Sequence, residues 1–166
     1  MLRRFSSLLF ILISSALVVS VPPVCAQKTK VIYRTYSNAR YKYSISYPAH
    51  LLEPQGEADD GDGEKFASKD GKALLLVYGT SNVNNDSVKT SFENALQGMA
   101  KDGRAVTYKA QKKNWFVISG RHGDNIFYSK TIHRGETLVT FVFEYPASER
   151  ATYDSITTRI ANSFSG

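Results

Sequence analysis

Thiols are almost missing from this 166-residue sequence. Its single cysteine, Cys25, lies near the N-terminus, so nothing after it can form a disulfide, act as a thiolate nucleophile or ligate a metal through sulfur. Proline (five) and tryptophan (one) are scarce, and no low-complexity or collagen-like bias is present. Only one long apolar run occurs, Leu8–Val19, which falls short of the roughly 20 residues a membrane-spanning helix needs. The length leaves no room for a large multidomain enzyme.

That apolar run follows Arg3 and Arg4 and precedes Val24-Cys25-Ala26, which has small residues at the −3 and −1 positions of a cut after Ala26. Residues 1–26 therefore read as a secretory signal, placing the mature chain in a periplasm or outside the cell with no transmembrane segment. Pro22-Pro23-Val24 ahead of Cys25 does not fit a lipoprotein signal. Export without a disulfide means that the fold rests on its apolar core, and a chain of this size buries roughly two-thirds of its unfolded surface, enough for a monomer.

Residues 27–40 are polar and basic and read as a flexible lead-in to one domain over 41–164. Tyr41, Tyr43, Ile45 and Tyr47 alternate as one face of a strand ended by Pro48. Leu51–Glu64 reads as an acidic loop, and Asp70-Gly71 between Lys65–Ser68 and Ala73–Tyr78 as a hairpin turn. Ala73–Tyr78 is apolar without alternation, which predicts a strand covered on both faces. Asp86 or Ser87 caps a helix carrying Val88, Phe92, Ala95, Leu96 and Met99 and ending near Gly103.

Strands follow at Ala105–Ala110, Trp115–Ser119, Ile126–Ile132 and Thr137–Tyr145, with Gly120–Asn125 as a turn. A last helix presents Tyr153, Ile156, Ile160 and Phe164. Short connections demand antiparallel pairing. The expected fold is α+β: an α/β/α sandwich with a central antiparallel sheet of about six strands flanked by helices.

Tyr41-Lys-Tyr-Ser-Ile-Ser-Tyr-Pro48, the segment Asp62–Gly71, the strand ending Val77-Tyr78-Gly79, and Tyr145-Pro146 with Tyr153-Asp-Ser-Ile156 together resemble bacterial secreted domains of the PsbP-like superfamily. This superfamily also includes the Ran-binding factor Mog. The likeness spans about Tyr41–Phe164. It implies a non-enzymatic accessory or binding protein and offers no catalytic residues to transfer.

Chemistry-bearing residues are few. Ser119, His122 and Asp124 are the residue types of a hydrolase triad, but neighbours in a turn seldom converge as a triad must. The acidic loop at 57–64 lacks the Glu that a helix–loop–helix Ca²⁺ site carries at position 12, since counting from Asp60 gives Gly71. A solvated loop is the better reading, and an irregular cation site there stays open. His50, His122 and His133 show no zinc spacing, so neither metal nor cofactor is expected. Asn85-Asp-Ser87 matches a glycosylation sequon. Trp115, Phe116 and the tyrosines offer a sugar-stacking platform, yet most sit where a core would claim them.

Charge is distributed unevenly. Residues 27–52 hold five bases and no acid, 53–64 hold six acids and no base, and 101–134 hold eight bases against two acids. Lys109, Lys112, Lys113, Arg121, Lys130 and Arg134 fall on successive strands and turns and are expected to form a basic face for an anionic protein or envelope component. A merely solvated rim is the plainer reading of the same charges. The compartment and the lack of a recognition helix argue against nucleic acid. The competing expectation is a small ligand or envelope polymer held in a pocket between sheet and helix.

Overall fold

The computed structural model describes residues Val31–Gly166; the signal read at 1–26 and the first residues of the lead-in lie outside that range. In chain order the elements are β1 (Tyr33–Asn38), β2 (Tyr43–Pro48), β3 (Glu53–Glu57), β4 (Gly63–Ala67), β5 (Leu74–Ser81), α1 (Val88–Lys101), β6 (Ala105–Gln111), β7 (Trp115–His122), β8 (Asn125–His133), β9 (Thr137–Pro146) and α2 (Arg150–Ser163). Seven strands form one antiparallel sheet in the order β3-β4-β5-β9-β8-β7-β6, while β1 and β2 pair as a separate ribbon.

Local chemistry explains the connections. In the β4–β5 turn, Asp70 Oδ1 accepts from Ser68 Oγ at 2.6 Å and from the Lys72 amide at 3.2 Å, and Gly71 takes φ +71°. At the start of α1, Ser87 Oγ accepts from the Thr90 amide at 3.1 Å. The helix stops where Gly103, at φ +74°, lets Arg104 N–H bond back to the Met99 carbonyl.

Alternation along the strands sorts side chains onto two unequal faces. One face carries Leu75, Val77, Val139, Phe141, Phe143 and Tyr145, all buried, against Tyr153, Ile156 and Ile160 of α2 and Tyr43, Ile45 and Tyr47 of β2. Aromatic pairs knit this core, among them Phe141–Phe164 at 5.1 Å and Phe143–Tyr153 at 5.6 Å, both edge-on. The opposite face has a small cluster of Phe116, Ile118 and Phe127 beneath Phe92, Leu96 and Met99 of α1. One helix thus packs on each side of the sheet.

Several expectations need correction. Tyr33–Asn38 of the supposed lead-in is strand β1, laddered to β2, with Asn38 buried; its side chain bonds the Tyr41 amide and the Gly61 carbonyl. The loop read over Leu51–Glu64 contains β3 and the first residues of β4. The sheet has seven strands rather than about six, with the β1–β2 ribbon in addition. Cover on both faces of β5 is incomplete: Leu75 and Val77 are sealed, whereas Leu76 is 43% exposed.

Both outer strands are irregular. The β3–β4 register shifts between Pro54 and Glu57, and the β6–β7 register shifts between Val106 and Tyr108. The residues read as a turn from Gly120 begin as β7 instead, because Gly120 lies against the second bulge, where a side chain would strike the Ala105 carbonyl. Gly120→Ala should therefore destabilise the domain by about 1–3 kcal/mol, the usual range for overpacking. The check is urea unfolding followed by circular dichroism.

Candidate functional site

Where α1 leaves the sheet uncovered, a groove of about 510 Å³ runs between helix and strands. Small side chains create it. The helix turns Ser91, Ala95 and Gly98 toward it, and the sheet contributes Ser129, Thr131 and Thr140. Leu76, Leu138 and Val142 form an apolar strip along the outer side, and Phe116 and Met99 line the inner side. Thr131 and Thr140 bond to each other through their hydroxyls at 2.9 Å. Ser91 is only 7% exposed, and its hydroxyl has no hydrogen-bond partner among the described residues.

Gly98, in the lining of this opening, has open space beside it. A Cβ there would have no neighbour within 4 Å, so no close approach calls for glycine. Glycine in a helix nevertheless costs about 0.5–1 kcal/mol relative to alanine. The position gives up helix stability and leaves the groove wider.

A polar cluster borders the groove at Arg104. Glu144 of β9, with its side chain 17% exposed, accepts from Arg104 Nη1 at 3.0 Å through Oε2. Its Oε1 lies 3.0 Å from His122 Nδ1 and accepts from Asn125 Nδ2 at 3.1 Å. Burial would raise the Glu144 pKa, but the bonds from Asn125 and His122 and the Arg104 charge outweigh it and hold the carboxyl below its usual range. The Arg104 guanidinium also sits over the Phe127 ring, 5.0 Å from its centre. The cluster ties the segment after α1 to the centre of the sheet.

This cluster separates the hydrolase-like residues. Ser119 is paired with Tyr128 on the α2 face and donates to the Phe127 carbonyl at 2.8 Å. His122, three positions on, belongs to the α1 face and turns to Glu144 rather than Asp124.

The six basic residues do not share one face. Lys109 is laddered to Ile118, which packs under α1, while Arg121 is laddered to Ile126 on the α2 side. Lys130 Nζ donates to the Ala161 carbonyl at 2.8 Å and lies over Trp115; its burial lowers its pKa. Arg134 donates to the carbonyls of Tyr41 and Lys42, bracing the turn before β2. Lys112 and Lys113, in the β6–β7 turn, are exposed and in no ion pair among the described residues.

In the acidic loop, Arg40, Asn38 and Tyr43 bond in turn to the carbonyls of Asp60, Gly61 and Asp62, and Tyr36 donates to Glu57 at 2.6 Å. These oxygens serve to dock the loop onto the ribbon. Among the described residues there is no group of three or more His, Cys, Asp or Glu arranged to hold a metal ion, and no helix long and apolar enough to cross a membrane.

No family model and no curated protein matches this chain. Among solved structures, the solution structure of cyanobacterial PsbP (CyanoP) from Synechocystis sp. PCC 6803 superposes with a TM-score of 0.59 at 13% identity. The match covers 85% of this chain and 96% of that one. The fold is PsbP-like.

The Glu144 network has a pH signature. A carboxyl depressed in the folded state contributes stability that is complete above the unfolded value of about 4.3 and is lost as pH falls through its lower folded value. Glu144→Gln should cost about 1–2 kcal/mol at pH 7. The gap between variant and parent should close on acidification as the parent loses its charge, which denaturant midpoints measured between pH 7 and 3 will show.

Proposed function

We propose that this chain is an exported, non-catalytic binding domain that takes a small amphiphilic ligand in the groove between α1 and the sheet. The observation that carries the reading is the groove itself: about 510 Å³, within the range of roughly 300–1,000 Å³ usual for ligand sites, and lined by small residues from both walls. The apolar strip of Leu76, Leu138 and Val142 suits the ligand's hydrocarbon part. Ser129, Tyr78 and Asn94, also in the groove lining, bring polar side chains as partners for a head group. Export is supported by the signal-like leader, and a non-catalytic role by the separation of Ser119 from His122 onto opposite faces.

A second reading rests on charge. Lys112 and Lys113 stand exposed at the β6–β7 turn, with Lys109 nearby in the chain, and suit an anionic protein or envelope component. Capture from exported fractions should then fall with salt and vanish in Lys112→Ala/Lys113→Ala.

Gly98 separates the two readings. Gly98→Ala should raise stability by about 0.5–1 kcal/mol. Gly98→Leu should stay folded and fill the groove. Native mass spectrometry after incubation with an envelope extract should show a small molecule on the parent protein and none on Gly98→Leu. Equal loading of both would exclude the groove.

A further inference from the structure

Strand alternation alone would put Val106 and Tyr108 of β6 on the same face. The bulge between them changes this. Val106 is opposite Gly120 and packs beneath α1, whereas Tyr108 is opposite Ser119 and belongs to the α2 face. Bulges are a regular means of re-aiming a side chain, and Gly120 makes this one possible by leaving room for the Ala105 carbonyl. The outcome is an aromatic ring 56% exposed on the outer strand, where no core contact needs it.

Tyr108 has a companion. Ser119 is the ladder partner of both Tyr108 and Tyr128, so the two tyrosines lie in one row across β6, β7 and β8, about 10 Å apart at two strand spacings. Beside Tyr128 a separate cleft of about 370 Å³ opens against α2. Arg150, Asp154, Thr158 and Asn162 line its helix side, and Tyr145 lies on the sheet side. Arg150 and Asp154 neutralise each other at 3.2 Å, and Tyr145, its hydroxyl pushed up to about 12 by burial, donates to Asp154 at 2.8 Å. Lys130, on the same face, is turned to the Ala161 carbonyl.

The exposed ring of Tyr108, in a row with the half-buried Tyr128 that rests on Phe141 and continues into a cleft lined by planar amide, carboxylate and guanidinium groups, is complementary to a molecule with apolar C–H faces and a rim of hydroxyls. We propose that Tyr108, Tyr128 and the cleft beneath α2 form a binding platform for an unbranched glycan chain, separate from the groove under α1. The platform lies on the surface of a sheet, which suits an extended, flat β-linked chain better than a coiled one. Mutually paired charges in the cleft favour a neutral sugar.

The test is titration of the full chain with chitotetraose and with cellotetraose, followed by calorimetry and amide NMR shifts. Binding of at least one sugar is expected, with shifts at Tyr108, Tyr128 and Asn162. Tyr108→Ala should weaken it tenfold or more, while Tyr108→Trp should retain it. Because Tyr108 is exposed, both variants should unfold at the parent's denaturant midpoint. Gly98→Leu should leave sugar affinity unchanged, so failure here is distinguishable from failure of the groove reading. No binding of either sugar at millimolar concentration, equal affinity in Tyr108→Ala, or loss of affinity in Gly98→Leu would overturn the proposal.

Discussion

Strand β9 is hydrogen-bonded on both edges, to β5 from Leu74↔Glu144 through Ser81↔Thr137 and to β8 from Asn125↔Pro146 through His133↔Leu138. Its alternation sends Val139, Phe141, Phe143 and Tyr145 to the α2 core and Leu138, Thr140, Val142 and Glu144 to the α1 side. A slip of one residue would exchange the two sets, burying a carboxylate among aromatic rings and exposing three rings to water. Both helix packings, the groove floor and the Glu144 cluster all depend on this one register.

The two faces differ in how they use their area. The α2 face is filled by large side chains, with Phe141, Phe143, Leu75, Val77 and Ile160 having no exposed surface. With no disulfide among its residues, the domain draws its stability chiefly from this side. The α1 face is free to be incomplete. Its helix has one buried residue, Ser91, and hydroxyl-bearing residues replace aliphatic ones across much of the floor. Stability and surface chemistry are thus divided between opposite sides of the same sheet.

Much of the framework was legible in the sequence wherever apolar spacing was regular. The Asp70-Gly71 hairpin, α1 with its Ser87 cap, and the α2 face of Tyr153, Ile156 and Ile160 all follow from period and capping chemistry. Strand β1 escaped because its inward positions are Tyr36 and Asn38, which form no apolar pattern. β3 escaped because all five of its residues are exposed and only the ladder to β4 defines it. The site residues were harder to read. Glu144 lies 22 positions from His122, and no local motif joins them. The groove is made by small residues such as Gly98 and Thr140, whose contribution is the space they leave. Charge spacing suggested one basic face, but strand parity divides Lys109 from Arg121, and backbone carbonyls engage Lys130 and Arg134.

The irregular registers at β3 and β6 bear on self-association as well. An open sheet ends in two strands whose outward amides and carbonyls can recruit a neighbouring molecule, and long straight margins of that kind promote aggregation. Here one margin contains Pro54 and Gly56 in a strand of five residues, and the other is kinked within seven residues and carries Lys109. Neither presents the continuous straight template that cross-molecular strand growth requires. A β-rich chain without covalent cross-links thereby gains resistance to fibrous assembly from the same distortion that turns Tyr108 outward.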